Sequence, residues 1–134
     1  MQFRFIYFFF IMFWSVNISF AQKGKSKEKT GPGSKYEIVG PICNGITRVR
    51  LNHKWGFIDT TGNVVVSPKY NEVTNFSYGV ARVRNGRKWG LIDTKGAILI
   101  KVECDFIGDF ADGVAKVMID GQTYYTDTNG VRVK

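Results

Sequence analysis

The sequence has little of the chemistry on which most metal and catalytic sites depend, since it holds one histidine, His53, and two cysteines, Cys43 and Cys104. A structural zinc site takes four ligands, and three side chains at unrelated positions cannot supply them. A catalytic base needs an oriented partner, and no serine or cysteine constellation is visible around His53. The sequence therefore predicts no catalytic residue, no metal site and no cofactor.

Charge is nearly absent from the first 21 residues, where Arg4 is the only charged side chain. An apolar run covers residues 5–16, and small residues occupy positions 19 and 21, the two that a signal peptidase reads. We interpret residues 1–21 as a secretory signal peptide, with a retained membrane anchor as the alternative. The residue directly after Ala21 is Gln22 rather than a cysteine, which argues against a lipoprotein. The expected location is periplasmic or extracellular.

Acidic residues are scarce in the next segment, residues 22–35, which hold five lysines and one glutamate and carry a net charge of +4. This Lys-, Gly- and Ser-rich composition is typical of a disordered linker, and its charge suggests weak association with an anionic envelope surface. Residues 36–134 carry only +3, from 13 Lys and Arg against 10 Asp and Glu. An exported protein with so small a charge is not expected to bind nucleic acid.

Export would permit a disulfide between Cys43 and Cys104. The two cysteines occupy different positions of the repeat described below, so no symmetry pairs them. Two buried free thiols are the alternative, because a free cysteine behaves as a small hydrophobic residue.

One segment of the sequence returns with a fixed period of 34. Residues 54–62 read Lys-Trp-Gly-Phe-Ile-Asp-Thr-Thr-Gly, and a near-identical copy occupies residues 88–96. A third, weaker copy follows after one more period, at positions 122–130, where Thr123-Tyr124 replaces Trp-Gly. The period predicts a repeat domain over residues 36–134. Its units are unit 1 (36–69), unit 2 (70–103) and unit 3 (104–134).

Alternation of apolar and polar residues gives the local structure of each unit, and no helical period is present after residue 35. The stretch after Gly79 alternates as a strand, and Asn85-Gly86 predicts a tight hairpin turn to a second strand. In unit 3 the pair Asp120-Gly121 takes that part, shifted by one residue. A third, continuously apolar strand, residues 64–66 or 97–100, is expected to be buried. Each unit is thus a three-stranded meander, and stacking makes an all-β, solenoid-like array.

Several repeated residues have structural roles in this interpretation. Each Trp is expected in the core, each following Gly allows close approach, and each Asp-x-x-Gly forms a turn. Because the aspartates recur with the fold, the turn explains them better than acid–base chemistry does. The structural residues are Trp55, Gly56, Asp59, Gly62, Trp89, Gly90, Asp93, Gly96, Asp127 and Gly130. The loss of Trp-Gly from unit 3 is expected of a capping repeat.

The pattern Lys-Trp-Gly-Phe/Leu-Ile-Asp-Thr-x-Gly, with Pro-Lys-Tyr before the next unit and Gly-Val-Ala-Arg-Val within it, resembles the WG-repeat (KWG repeat) family. The resemblance covers about residues 36–134. It implies a β-rich repeat module, common in exported bacterial proteins, with no established catalytic activity. The departures are the missing Trp-Gly in unit 3 and the small number of copies.

The candidate ligand-binding residues lie on the predicted outer face of the first strand in each unit. We call this set the cationic column; its members are Arg48, Arg50, Arg82, Arg84 and Lys116. Stacking would align them to hold an anionic polymer or an acidic protein patch. The aromatics expected to flank the column are Tyr36, Tyr70, Phe76, Tyr78 and Tyr125. The alternative is a solvated face that Asp and Glu on neighbouring strands neutralise.

Three functions follow from these observations. The first is a non-enzymatic exported module that binds a protein or an envelope or extracellular glycan through a repeat surface. The second is a structural protein whose open ends self-associate. An enzyme is the third and the least favoured.

Overall fold

The computed structural model describes residues 35–133 as antiparallel β-structure, with no helix in that range. The strands are β1 (Ile38–Cys43), β2 (Ile46–Leu51), β3 (Lys54–Asp59), β4 (Val64–Tyr70), β5 (Glu72–Val73), β6 (Val80–Asn85), β7 (Lys88–Asp93), β8 (Ile98–Cys104), β9 (Phe106–Ile107), β10 (Val114–Ile119) and β11 (Gln122–Asp127). The all-β prediction is confirmed. The predicted signal peptide and residues 22–34 of the predicted linker lie outside the described residues. Nothing in the described range forms a helix with the length and apolarity that crossing a membrane requires.

The strands form three sheets in tandem. Their orders are β1-β2-β3-β4, β5-β6-β7-β8 and β11-β10-β9. Units 1 and 2 therefore have four strands rather than the predicted three, because the segment ahead of each first strand also pairs with it. In unit 2 this added strand is β5, where Val73 lies opposite Val83.

The chain passes from one sheet to the next without a loop. β4 pairs with β3 of the first sheet, and β5 begins two residues after the end of β4 and pairs with β6 of the second. β8 and β9 repeat the arrangement between the second and third sheets. A single extended segment thus belongs to two sheets, which fixes the spacing of neighbouring units.

The central hairpins of the three units share one register. Their two-residue turns are Asn52-His53, Gly86-Arg87 and Asp120-Gly121. The predicted Asn85-Gly86 turn is wrong by one residue, because Asn85 pairs with Lys88. Gly86 stands first in its turn with φ 58°, the arrangement in which glycine is favoured at that position. The unit 3 turn is therefore not shifted.

In units 1 and 2 the third predicted strand is longer and more exposed than its sequence indicates. Val64 is 47% exposed and Ile98 is 55% exposed, so the prediction of a buried strand is wrong there. Both belong to β4 or β8, the last strands of their sheets, and an edge strand is covered on fewer sides. The edge position also lets β4 continue through Pro68, which has no amide hydrogen to donate.

The core is divided into layers, and each of the first two sheets contributes to two of them. Ile92 packs in the layer between units 1 and 2, whereas the adjacent Leu91 packs in the layer between units 2 and 3. Ile58 packs in a third cluster with Tyr36 and Val49. Both faces of the central strands are consequently covered, which is what stacking requires.

The Asp-x-x-Gly turn of each later unit packs on the unit before it. A Cβ placed on Gly96 would lie 2.9 Å from the carbonyl oxygen of Val65 in unit 1. A Cβ on Gly130 would lie 2.8 Å from the carbonyl oxygen of Leu99 in unit 2. Val65 and Leu99 are also separated by one full period, so this stacking contact repeats with the sequence.

Unit 3 shows why its Trp-Gly pair can be lost. Tyr124 faces Val117 across the sheet, as Gly90 faces Val83 in unit 2. In unit 2 the strand β8 presses on the glycine, but among the described residues β11 has no following strand, only the bridge from Thr126 to Arg132. Tyr124 uses that space to pack on the last core layer, and Arg132 covers its ring at 5.0 Å.

Candidate functional site

Two arginines of the cationic column tie each unit to the next. The Arg48 guanidinium donates to the carbonyl oxygen of Val73 at 3.3 Å, and Arg82 donates to the carbonyl oxygen of Ile107 at 2.9 Å. The two donors are one full period apart in the sequence, and so are the two acceptors. Arg82 also pairs with the Asp109 carboxylate at 2.5 Å. Arg48 and Arg82 thus each join one unit to the next. We call Arg48 the first latch and Arg82, with its partner Asp109, the second latch.

Removing the second latch should loosen the junction between units 2 and 3. Arg82→Met is expected to lower the free energy of unfolding by about 1–2 kcal/mol, chiefly through the lost bond to the Ile107 carbonyl, since the ion pair with the exposed Asp109 contributes little. Lys116→Met changes the equivalent position of unit 3 and should be nearly neutral. Urea denaturation of both variants measures the difference. Equal losses would show that Arg82 does not act as a latch.

The second pair of arginines is engaged within its own unit. Arg84 meets Glu72 at 2.7 Å and donates to the carbonyl oxygen of Gly86 at 2.5 Å. Arg50 lies 3.6 Å from Glu37, and its guanidinium is 2.9 Å from Nδ1 of His53. Because arginine only donates, that His53 nitrogen acts as the acceptor.

Lys116 is the exposed member of the cationic column, and its side chain makes no hydrogen bond or ion pair with any residue of the range 35–133. The column is thus not the free outward face that the sequence suggests. Four of its five cations have internal partners, and binding of a ligand by them stays a prediction.

Trp55 and Trp89, which the sequence places in the core, are half-buried at its rim. The guanidinium of Arg48 lies over the Trp55 ring at 5.1 Å, and that of Arg84 lies over the Trp89 ring at 5.6 Å. Each indole therefore packs on the core with one side and carries an arginine on the other.

The three recurrent aspartates hold their turns. Asp59 accepts hydrogen bonds from the amides of Thr61 and Asn63, each at 2.9 Å. Asp93 and Asp127 accept the equivalent pairs of amide bonds at 2.8–2.9 Å. A bond from the Thr61 hydroxyl is the main cause that lowers the pKa of Asp59. Their carboxylates are occupied in the same way in all three units.

The two cysteine thiols lie in different layers of the core. Cys43 packs on the core layer between units 1 and 2, Cys104 lies in the next layer, and both are free thiols. Burial raises the pKa of Cys104, which keeps it protonated. Within the described residues, no group of three metal-ligating side chains comes together.

One recurrent structural position was missed in the sequence. The side chains of Glu37, Asn71 and Asp105 each accept a hydrogen bond from a central hairpin turn, at 2.9, 2.7 and 2.9 Å. Their donors are the amides of residues 52, 86 and 120. The spacing of 34 is the signal that finds them, but three different residue types conceal it from an identity-based comparison. Asp105 also pairs with Lys88 at 2.5 Å, and this bond is the main cause that lowers the Asp105 pKa.

The junction between units 2 and 3 contains a cleft of about 200 Å³, which we call the inter-repeat cleft. The polar side chains that line it are Thr74, Asn75, Ser77, Arg82 and Asp109, and Leu91 and Phe110 are among the apolar ones. Units 2 and 3 thus supply opposite walls, and the second latch, Arg82–Asp109, lies at the boundary.

The inter-repeat cleft is explained by differences between equivalent residues. At the junction of units 1 and 2, the rings of Phe57 and Phe76 pack in a tilted arrangement, with an interplanar angle of 60° and centroids 4.8 Å apart. At the next junction the position of Phe57 is taken by the smaller Leu91, opposite Phe110. Ile46 is likewise replaced by Val80, which also lines the cleft. Side chains that fill the first junction are therefore reduced in the second.

Comparison with known proteins places this architecture in a family. The model for a WG containing repeat matches residues 55–89 and 89–122, which together make up about half of the chain. The chain belongs to the WG-repeat family. Both matched repeats begin at the Trp of a Trp-Gly pair, so a WG repeat, counted in this way, spans the junction between two of our units. No curated protein and no solved structure matches the chain.

A strained tyrosine adjoins the inter-repeat cleft in this WG-repeat protein. Tyr78 has φ 54° and is 64% exposed, and it directly follows Ser77 of the cleft. Asn44 and Asp112 occupy the same turn position in units 1 and 3, with φ 56° and 50°. Asn and Asp adopt this left-handed conformation readily, whereas a bulky side chain does so at a cost. Strain of this kind is concentrated at functional sites.

The strain at Tyr78 should be measurable. Tyr78→Asn, which installs the residue that unit 1 uses, is expected to raise the free energy of unfolding by about 1 kcal/mol. Tyr125→Asn alters a similarly exposed tyrosine in the regular strand β11 and should give no gain. Thermal denaturation of both variants checks this. If Tyr78→Asn is destabilising, the tyrosine contributes packing that outweighs its backbone strain.

Proposed function

We propose that this WG-repeat chain is an exported, non-enzymatic binding module that holds a protein or an envelope or extracellular glycan at its repeat surface. The observation that carries the proposal is the inter-repeat cleft, a concave site with polar and apolar walls supplied by two stacked units. Sites of this kind, on loops that a β-scaffold positions, are where proteins bind ligands.

The recurrent aspartates and the arginines of the cationic column have structural roles, which favours binding at the cleft over catalysis by these residues. The three recurrent aspartates hold turns, and four arginines of the cationic column hold neighbouring chain segments. Export rests on the apolar segment of residues 5–16 and the small residues that follow it.

Capture from envelope and culture fractions tests the proposal. The protein recovered after expression of the full chain is immobilised and offered those fractions, and retained protein and carbohydrate are identified. Leu91→Phe, which restores the larger side chain of unit 1, should reduce retention, whereas Phe106→Leu, a change at the exposed position of β9, should not. Retention of nothing by the unaltered protein, or equal retention by all three proteins, would contradict a binding role for the cleft.

The cationic column is tested separately through its exposed member. Lys116→Glu reverses a charge without breaking a latch, so lost capture of acidic material would support a role for the column. Arg48 and Arg82 are less suited to this test, because their replacement also weakens the junctions. Unchanged capture by Lys116→Glu would leave no exposed member of the column to support that role.

Self-association is the second candidate, and one surface favours it. The last sheet exposes Tyr125 at 41%, Val131 at 58% and Val133 at 47%. Val114 and Tyr125 line a groove at the positions that correspond to Val80 and Leu91 of the inter-repeat cleft, and Val133 also lines this groove. Sedimentation at increasing concentration should reveal dimers that Tyr125→Lys abolishes. A protein that stays monomeric throughout would exclude this candidate.

The Lys-rich segment of residues 22–35 is proposed to strengthen contact with anionic surfaces. Replacing Lys23, Lys25, Lys27 and Lys29 with glutamine should weaken sedimentation with anionic vesicles, and the effect should vanish at high salt. Equal sedimentation of both proteins would mean that this segment plays no such part.

A further inference from the structure

We propose that the inter-repeat cleft binds a single uncharged sugar ring, as found at the end of a neutral glycan. This inference rests on the proposed binding function and specifies its ligand. A volume of about 200 Å³ is below the ~300–1,000 Å³ of pockets for drug-sized ligands, so the cleft has room for one small group.

An unsatisfied acceptor indicates a ligand that donates hydrogen bonds. Three buried side-chain atoms in the described residues lack a hydrogen-bond partner, and Asn75 Oδ1 is the only oxygen among them. Asn75 lines the cleft beside Ser77, whose hydroxyl makes no hydrogen bond to any residue that the structure describes. A buried polar group without a partner costs about 1–3 kcal/mol, which a ligand hydroxyl would offset.

The charges of the cleft favour a neutral ligand. Arg82 and Asp109 are the only ionised side chains among the residues that line it, and they pair with each other at 2.5 Å. An anion would have to compete with Asp109 for the guanidinium, and a cation would have to compete with Arg82. Ligand hydroxyl groups can instead donate to the other carboxylate oxygen of Asp109, Oδ2, without separating Arg82 from Oδ1.

The apolar walls suit the other side of a sugar. Phe110 supplies an aromatic surface against which the C–H face of a pyranose can pack, and the fully buried Leu91 borders the cleft from the core side. Tyr78, an exposed tyrosine in the strained conformation described above, directly follows Ser77 of the cleft in the chain. Aromatic side chains combine a large apolar face with specific geometry, and Tyr adds a hydroxyl at its tip.

The backbone around the cleft argues against an extended peptide. A peptide that adds to a sheet needs unpaired amides and carbonyls along an edge. Here Thr74 donates to Arg82, and Ser77 and Val80 exchange both backbone bonds, at 2.9–3.0 Å. On the unit 3 side, Ala111 and Val114 exchange the same pair. Recognition therefore falls to the side chains.

Titration by nuclear magnetic resonance tests the inference on the protein recovered after expression of the full chain. The probes are methyl glycosides of glucose, galactose, mannose and N-acetylglucosamine, with glucuronic acid and a capped tripeptide as the charged and peptidic alternatives. At least one neutral glycoside should shift the signals of Asn75, Val80 and Leu91, with a Kd on the order of 1 mM.

Variants separate this site from others. Leu91→Phe should weaken the best glycoside at least tenfold, and Tyr78→Asn should weaken it about 2–10-fold. Asp112→Asn, at the matched turn position in unit 3, should leave it unchanged. Val80→Ile fills less of the cleft and serves if Leu91→Phe does not fold. No shift with any neutral glycoside, or tighter binding of glucuronic acid or the tripeptide, would overturn the inference. If the protein captures another protein from the envelope or culture fractions but no glycoside shifts its signals, the proposed binding function is supported and the proposal of a sugar ligand is wrong.

Discussion

Phe57→Ala is expected to lower the free energy of unfolding by about 3–5 kcal/mol, as is usual for a fully buried phenylalanine. The Phe57 side chain is 0% exposed, and its ring packs against that of Phe76 in the following unit in a tilted arrangement. Removing the ring leaves a cavity between units 1 and 2. The residues around the cavity cannot close it, because the strands on its two sides are held in hydrogen-bonded sheets. Equilibrium unfolding in urea, followed by tryptophan fluorescence, measures the loss.

Phe106→Ala is the matched control for this prediction. It makes the same chemical change at a phenylalanine that is 45% exposed in β9. The expected loss is under about 1 kcal/mol, since less apolar surface leaves water on folding there. A similar loss for Phe57→Ala and Phe106→Ala would mean that the core layer between units 1 and 2 does not depend on the contact between Phe57 and Phe76.

Gly90→Ala should be the second large effect, with a loss of about 2–4 kcal/mol through overpacking. A Cβ at Gly90 would lie 2.8 Å from the carbonyl oxygen of Ile100 and 2.7 Å from Cγ2 of Val102. The backbone of β8 would have to move, and with it the strand pair that leads into unit 3. The glycine of the Trp-Gly motif is thus required by the strand packed against it.

Gly108→Ala separates this clash from the general effect of losing a glycine. Gly108 does not have a left-handed backbone, and the nearest atom to its added Cβ would be Phe106 Cε1 at 3.4 Å. This control should change the free energy of unfolding by less than about 0.5 kcal/mol. A Gly90→Ala protein as stable as Gly108→Ala would show that β8 yields without cost.

The features that repeat most strictly were the ones predictable from the sequence. The period of 34 and the alternation in the first strands gave the all-β array, and the Asp-x-x-Gly spacing gave the turns of Asp59, Asp93 and Asp127. The added strands β5 and β9 were not predicted, because two residues are too few to show alternation. The prediction that β4 and β8 are buried was also wrong, because an apolar run does not reveal that its strand lies at the edge of a sheet.

The candidate site was harder to predict for a different physical reason. The arginines alternate with buried residues as an outward face would, yet their length lets them reach carbonyls in the next unit. The inter-repeat cleft arises from what unit 2 lacks relative to unit 1, Phe57 becoming Leu91 and Ile46 becoming Val80. Such a difference has meaning only once the packing layer that contains both residues is known.

The latches and the shared strands also determine how the molecule can come apart. Each unit contacts only its neighbours, so an opening that begins at one end does not have to break the contacts at the other. Unit 2 is held by Arg48 from one side and holds unit 3 through Arg82 on the other. Its amide hydrogens should therefore exchange last, and a ligand seated between units 2 and 3 would delay exchange in the end unit without touching most of it.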